Sequence, residues 1–259
     1  MTEATTHRVE RDGGVATVTL DRPDALNAQT RASRRALVRE LRALSADTAV
    51  RCVVLTGAGR AFCAGQDLRE PGALEDVDTM IRETYVPIVE SLVGMPKPVI
   101  AAVNGAAAGA GLSLALACDL RYMAEDAVLM MAFSNIGLVP DCGGTWLLPR
   151  TIGYARAFEL AATGRRVAAP EALELGLVQR VLAGADLLPA VQVLARELAA
   201  RPTLALAWTK RLLRAAEQGT LTDLMELEAQ LQASAVLTHD HAEGVAAFLE
   251  KREARFEGR

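Results

Sequence analysis

Histidine and lysine are scarce in this 259-residue sequence. The histidines are His7, His239 and His241, and the lysines Lys97, Lys210 and Lys251. Histidines so few and so peripheral exclude a zinc triad; His239 and His241 read as solvated residues near a helix start. Arginine supplies the other basic residues, yet Lys+Arg total 28 against 32 Asp+Glu, a net charge of −4. No basic surplus exists for nucleic acid or an anionic membrane. Cysteine is limited to Cys52, Cys63, Cys118 and Cys142, none in C-x-x-C spacing and each in an apolar or glycine-rich setting. They read as buried thiols of a reducing, cytoplasmic compartment. Met1 to Glu10 has no apolar core and is not expected to be a secretory signal. The chain also lacks G-x-S-x-G, G-x-x-x-x-G-K-[ST] and G-x-G-x-x-G; Gly109-Ala-Gly111 continues as Leu-Ser-Leu. A serine hydrolase of the elbow type, a P-loop and a dinucleotide site are thereby excluded or unsupported.

Aromatics make up only 4% of a sequence that is 51% hydrophobic, so aliphatic residues must build the core. One stretch, Pro98 to Cys118, carries no charge and is long enough to span a bilayer. It is not expected to do so. Asn104-Gly105 is a mid-run turn signal, and Pro98, Gly109, Gly111 and Ser113 interrupt an alanine-rich run. Two buried elements joined by a tight loop fit better.

The spacing predicts a hairpin over His7 to Leu20, turning at Asp12-Gly13-Gly14. An amphipathic helix is expected over Thr30 to Ala46, with Ala36, Leu37, Leu41 and Leu44 inward and arginines opposite. Buried strands are expected at Cys52 to Thr56, Val99 to Val103 and Asp119 to Met123. Ala73 to Val93 and Gly111 to Cys118 read as helical. Beyond about residue 150 helices dominate: Tyr154 to Thr163, Pro170 to Leu175, Leu187 to Arg201, Thr203 to Ala216, Thr220 to Leu237 and His241 to Phe256. Alternating strand and helix predicts an α/β fold of stacked βαβ units. The expected organisation is a core over residues 1–195 and a helical C-terminal subdomain over residues 196–259.

Three segments join glycine, small and polar residues just after buried strands: Gly57 to Leu68, Asn104 to Leu112 and Asn135 to Thr145. Glycine permits positive φ and close backbone approach. A glycine-rich turn entering a helix also leaves free N–H groups pointing forward. Two such turns could converge on one oxygen and stabilise negative charge there. The third segment carries a lone Pro140-Asp141 among apolar and glycine residues. Asp141 is either a proton-transfer carboxylate or a cap for the helix that starts near Gly143.

These segments strongly resemble the crotonase superfamily, also called the enoyl-CoA hydratase/isomerase family. The resemblance runs from Asp21-Arg-Pro-Asp-Ala-Leu-Asn-Ala28 through Ala61-Phe-Cys-Ala-Gly-Gln-Asp-Leu68 and Lys97-Pro-Val-Ile-Ala-Ala-Val-Asn-Gly105 to Glu243-Gly-Val-Ala-Ala-Phe-Leu-Glu-Lys251. Met131 to Arg150 is similar to a narrower group, the ring-1,2-epoxyphenylacetyl-CoA isomerases of aerobic phenylacetate degradation.

The resemblance implies a crotonase-like ββα spiral of repeated turns with a helical C-terminal subdomain, assembled as a homotrimer or dimer of trimers. It implies an acyl-CoA substrate and no metal, nicotinamide or flavin cofactor, and it leaves room for a hydratase partner. By motif, the oxyanion-hole donors are the backbone N–H groups of Gln66 and Ala110. The hydratases' two glutamates are matched here by Ser113 and Phe133, neither of which can act as a base. Asp141 matches the catalytic aspartate of the narrower group, and burial is expected to raise its pKa.

Substrate contacts implied by the resemblance are Asp24, Ala25 and Leu26 at the adenine and pantetheine, and Ala64, Gln66, Asp67 and Leu68 around the thioester. Arg69 is implied near the phosphates, Phe133 at the acyl group, and Phe248 and Lys251 from the last helix, often of a neighbouring subunit. Asp67 and Asp119 are expected to order structure rather than react. The reaction implied is isomerisation of 2-(1,2-epoxy-1,2-dihydrophenyl)acetyl-CoA to oxepin-CoA. Alternatives are a Δ3,Δ2-enoyl-CoA isomerase of fatty acid oxidation, nucleophilic dehalogenation by Asp141, and a non-catalytic acyl-CoA-binding subunit.

Overall fold

The computed structural model describes residues 6–73 and 75–259. Residues 1–5, part of the stretch read for a signal, lie outside the described residues, as does Leu74 within the expected Ala73 to Val93 helical stretch. The chain opens with the expected hairpin, β1 (His7–Asp12) and β2 (Val15–Leu20), paired antiparallel from His7↔Leu20 to Asp12↔Val15. Helix α1 (Arg31–Ala46) follows, capped by the Thr30 hydroxyl, which accepts from Ser33 N–H. Next come β3 (Cys52–Gly57), β4 (Ala61–Cys63), the short α2 (Val77–Met80) and α3 (Val86–Val93), with a π-turn over Ile81–Tyr85 between the two helices. Then follow β5 (Val99–Val103), β6 (Ala106–Ala108), α4 (Ala110–Ala117), β7 (Leu120–Ala124) and β8 (Val128–Met130). Helices α5 (Gly144–Ile152) and α6 (Tyr154–Thr163) lead to β9 (Arg166–Ala168), α7 (Ala169–Glu174) and β10 (Arg180–Leu182). The chain finishes with α8 (Gly184–Ala199), α9 (Thr203–Ala215), α10 (Leu221–Ala235) and α11 (His239–Glu250).

Two sheets result, ordered β1-β2-β3-β5-β7-β10 and β4-β6-β8-β9. Each successive turn gives one strand to each: β3 then β4, β5 then β6, β7 then β8. The strands shared between turns run parallel, β3 with β5 and β4 with β6. This is a ββα spiral. Strands β2, β3 and β5 are buried along their whole length, so they read as continuous apolar runs rather than alternating ones.

The uncharged run is now accounted for. It forms β5, a tight turn, β6 and α4, all eight of whose residues are buried. A helix apolar on every side belongs in a core, and α4 is shorter than a bilayer requires. Among the described residues no helix is long and apolar enough to cross a membrane. Leu112, Leu114 and Leu116 are each buried there, contributing roughly 1.5–3 kcal/mol apiece.

Three expectations need correction. The proposed boundary at residue 195/196 cuts through α8, whose Leu187, Val191, Ala195 and Ala199 are all buried in the core. Helix α8 therefore belongs to the core, and the helical extension begins at α9. The last helix stops at Glu250 instead of Phe256, because Lys251 turns left-handed at φ 57° and the tail folds back. The tail is held by Asp240, whose carboxylate accepts from Glu257 and Gly258 N–H. The inward face of α1 also includes Ser33 and Arg34, so not every arginine lies on the solvent side.

Candidate active site

Strand β4 delivers the first segment. Beyond Cys63 the chain is tied to the loop before α1: Ala64 N–H donates to Leu26 O (3.0 Å), Gln29 N–H to Gly65 O (2.7 Å) and Asp67 N–H to Gln29 O (3.1 Å). Between these bonded neighbours, Gln66 N–H has no acceptor among the described residues. Strand β6 delivers the second segment. Gly109, at φ 53°, begins α4 and leaves Ala110 N–H at the helix N-terminus, also without an acceptor among the described residues.

Two glycines bring the segments together. Gly65 has φ 92°, and a Cβ there would stand 2.9 Å from Ala108 O and 3.3 Å from Ala110 N. A Cβ at Gly111 would collide with the Cys63 carbonyl. The two unpaired N–H groups therefore lie on adjoining strips of backbone, one of them at the positive end of a helix dipole. Such a pair can stabilise an oxygen that gains negative charge.

Asp141 lies in the segment before α5, on the side reached by Ser113 of α4. The Ser113 hydroxyl donates to the Asp141 backbone carbonyl at 3.1 Å. Ser113 is fully buried. Phe133, on a 3-10 turn over Ala132–Ile136, is buried against the Gly109 turn, 3.8 Å from where a Gly109 Cβ would be. Ser113 thus adjoins the Asp141 backbone, and Phe133 adjoins the turn that carries Ala110.

The Asp141 carboxylate is not a helix cap. Gly143 occupies the cap position of α5 and no side chain bonds to it there. Nor does any Lys, Arg or His among the described residues form an ion pair with Asp141. Its hydrogen bond comes from the neighbouring Cys142 thiol, which donates to Oδ1 at 2.9 Å. Burial raises the Asp141 pKa above the ordinary carboxylate value; the Cys142 hydrogen bond and the Arg34 charge oppose the rise in part. Burial and the adjacent Asp141 push the Cys142 thiol far upward, so it remains a donor. Cys142 itself sits at φ 52°, an uncommon conformation for a residue with a Cβ.

Asp67 is structural, as expected. It is buried and accepts from Arg22 at 2.9 Å and from Arg69 N–H at 3.1 Å. Burial pushes its carboxyl up, but hydrogen bonds from Arg22 and Arg69 together hold it below the ordinary value. Asp119 is likewise structural. Its carboxylate accepts from Val99 N–H (2.8 Å) and from Lys210 (2.9 Å).

The remaining expected contacts divide. Asp24 and Ala25 form a 3-10 turn, and Leu26 follows left-handed at φ 53°, bonded to Ala64 and so placed beside Gly65. Leu68 is half exposed, and the Arg69 side chain is 74% exposed. Phe248 is 81% exposed, and Lys251 ends α11. Neither hydrogen-bonds to Gln66, Ala110 or Asp141. The tail after α11 binds Arg51, just before β3, whereas the site follows the far ends of β3 and β4. One chain alone does not bring Phe248 and Lys251 to the site.

The sequence reading missed a buried polar cluster behind Gln66. Arg34, 1% exposed, donates to Gln29 O (2.8 Å), Gln66 Oε1 (3.0 Å) and Thr84 Oγ1 (2.9 Å). Its guanidinium lies 4.8 Å from the centroid of the Tyr85 ring. A signal existed: Arg34 stands three residues before Leu37 and seven before Leu41, on the same helical stripe. Among the described residues no group of three or more His, Cys, Asp or Glu is arranged to hold a metal ion.

Comparison with known proteins establishes the family. The family model described as enoyl-CoA hydratase/isomerase matches residues 10–259. The 1,2-epoxyphenylacetyl-CoA isomerase of Escherichia coli is 45% identical over 251 residues, covering 95% of this chain and 96% of that one. The 2,3-dehydroadipyl-CoA hydratase of the same organism is 37% identical over 251 residues, 97% of this chain and 98% of its own. The crystal structure of an enoyl-CoA hydratase from Bacillus anthracis superposes with a TM-score of 0.93 at 35% identity, covering 98% of this chain and 100% of that one. The chain therefore belongs to the enoyl-CoA hydratase/isomerase family and has its crotonase fold.

Proposed function

We propose that the protein is an acyl-CoA isomerase in which Asp141 is the single proton-transferring carboxylate. Its substrate in this reading is 2-(1,2-epoxy-1,2-dihydrophenyl)acetyl-CoA, converted to oxepin-CoA. The observation that carries the reading is the Asp141 carboxylate itself: partly buried, bonded to no cation among the described residues and capping no helix, in a segment whose backbone carbonyl is held by Ser113. The 45% identity to an epoxyphenylacetyl-CoA isomerase supports the choice of substrate.

In this mechanism Asp141 removes a proton from C2 of the acyl group. The electron pair moves onto the thioester oxygen, which accepts from Gln66 N–H and Ala110 N–H, each donor worth about 3 kcal/mol. With the epoxide, the bond shared by the two rings opens into the seven-membered ring, and Asp141 returns the proton to a ring carbon. With a 3-enoyl-CoA the same proton returns at C4, leaving the double bond at C2–C3. No atom is gained or lost, so the reaction needs no cofactor. A raised pKa suits a group that must act first as base and then as acid.

Hydration is the second reading, favoured by the 37% identity to a dehydroadipyl-CoA hydratase. Ser113 and Phe133 argue against it, since neither can activate water. Exposed apolar residues on α11 and in the turn before it, Leu237, Phe248 and Leu249 among them, support self-association, as in the expected homotrimer or dimer of trimers. In that assembly a neighbour would supply Phe248 and Lys251.

Mass-spectrometric assay of epoxyphenylacetyl-CoA, 3-hexenoyl-CoA and 2-hexenoyl-CoA tests these readings together. Isomerised products of unchanged mass are expected, with the epoxide turned over fastest; a gain of water would identify a hydratase. Asp141→Asn is expected to bind the CoA ester within a few-fold and to lose about 10²-fold or more in turnover. Near-wild-type turnover would sink the assignment.

A further inference from the structure

Arg34 carries a positive charge into the core, and no carboxylate among the described residues forms an ion pair with it. A buried charge is retained only where other groups compensate its lost hydration. Three hydrogen bonds do part of this, to Gln29 O, Gln66 Oε1 and Thr84 Oγ1. The Tyr85 ring face does another part. The Arg34 charge opposes the upward shift of the Asp141 pKa, as does the hydrogen bond from the Cys142 thiol on its own segment; Tyr85 on the π-turn is the other titratable group that interacts with both charges. The Tyr85 hydroxyl is buried with no hydrogen-bond partner. The Gln66 side chain is held at both ends, by Arg34 and, through its amide, by Ala73 O at 2.8 Å. Its own backbone N–H is left free.

We propose that Arg34 is a positioning residue: by clamping Gln66 it aims the Gln66 N–H at the thioester oxygen. Its charge also opposes the rise that burial imposes on the Asp141 pKa. The inference rests on the reading of Asp141 as the base and Gln66 N–H as a donor. The Gln29, Gln66 and Thr84 segments are thereby tied to a single guanidinium, whose planar fork serves several acceptors at fixed angles.

The test is the pH profile of kcat/KM for 3-hexenoyl-CoA isomerisation by the wild type, Arg34→Gln and Arg34→Lys. Arg34→Gln is expected to lower kcat about 10²-fold through misaimed donors, with KM within a few-fold. Its acidic limb should move up, because the charge opposing the effect of burial is gone. Arg34→Lys should return the limb to its wild-type position and recover only part of kcat, because an ammonium cannot reproduce the fork. An unmoved limb in a folded Arg34→Gln would overturn the electrostatic part. Wild-type kcat in either variant would overturn the positioning part. If Arg34→Gln does not fold, Thr84→Val decides: it removes one anchor and keeps the charge, so kcat should fall with the limb in place, and an unchanged kcat refutes the proposal. Asp141→Asn is run alongside. If it stays active the functional reading fails; if it is inactive while the limb does not move, only the role of Arg34 fails.

Discussion

Gly65→Ala tests whether the two backbone strips form one functional unit. Gly65 is at φ 92°, and its missing Cβ would lie 2.9 Å from Ala108 O and 3.3 Å from Ala110 N. Two effects add. A Cβ at a left-handed φ costs about 1–2 kcal/mol. Overpacking against rigid backbone adds roughly 1–3 kcal/mol. At a midpoint of about 3.5 kcal/mol, and about 2–4 °C per kcal/mol for a chain of this size, Tm should drop by about 7–14 °C. The relief open to the chain is to part the β4 and β6 segments, which carries Ala110 N–H away from Gln66 N–H. Loss of one oxyanion donor lowers kcat about 10²–10³-fold.

Gly176→Ala supplies the comparison. Gly176 is at φ 79°, lies in the turn after α7, and has no heavy atom within 4 Å of its would-be Cβ. It incurs the backbone strain without the contact, so Tm should fall by a few degrees and kcat should not change. The assay is initial-rate isomerisation of 3-hexenoyl-CoA at a temperature where all three proteins are folded, with Tm from calorimetry. A Gly65→Ala variant that loses Tm but keeps wild-type kcat would refute the idea that Gly65 sets the donor spacing. Equal kcat losses in both variants would refute it too, by assigning the effect to general destabilisation.

The Asp141 site should also reveal itself in stability. Its folded-state pKa is raised by burial, so the folded state holds the proton more tightly than the unfolded chain, and stability falls as pH rises through the window between the two values. Asp141→Asn lacks that penalty and should melt above the wild type at pH 7, with the difference closing below the ordinary carboxylate range. A melting point lowered at pH 7 would contradict this. All four cysteines are free and buried, with Cys52 and Cys118 pushed up to about 12, Cys63 to about 11 and Cys142 upward as well, burial being the first cause in each. Iodoacetamide at pH 8 should therefore label none in the native protein and four after denaturation, as read by intact mass.

The parts of the fold legible in the sequence were those whose local pattern agrees with their tertiary surroundings. The β1–β2 hairpin has its Gly13-Gly14 turn, and α6 has apolar spacing that ends at Gly164. Strands β3 and β5 are unbroken apolar runs because both faces are covered. The second sheet was not legible. Its strands β4, β6, β8 and β9 have three residues each, too few to show an alternating pattern. Nothing in Ala106–Ala108 favours a strand over a helix; the parallel partners Ala61 and Leu129 impose it. The end of α11 was misread for a similar reason, since the Asp240 carboxylate that recaptures the tail is distant in sequence from Gly258. Asp141 could be picked out because a carboxylate among glycine and apolar residues contrasts with its neighbours. For Arg34 the sequence carried only its place on the Leu37 and Leu41 stripe, which marks it as inward-facing; the contacts that give it a role come from Thr84, Tyr85 and Gln66.

The two positions where the hydratases carry glutamates have not simply lost function here. Ser113 and Phe133 both have structural partners. Ser113 Oγ holds the Asp141 carbonyl, fixing the backbone from which the carboxylate projects. Phe133 is buried against the Gly109 turn beside Ala110. Reverting Ser113 to a carboxylate would not restore a hydratase. Ser113 is already sealed, and its hydroxyl lies 2.8 Å from where a Gly144 Cβ would be, so a longer acidic side chain would strike the first turn of α5. It would also place a second carboxylate beside one whose pKa burial already raises. Like charges in one dry site cannot both ionise near neutrality. The packing of α4 against the start of α5 is therefore incompatible with a second carboxylate at position 113, which fits the proposed single-carboxylate isomerase and not a two-carboxylate hydratase.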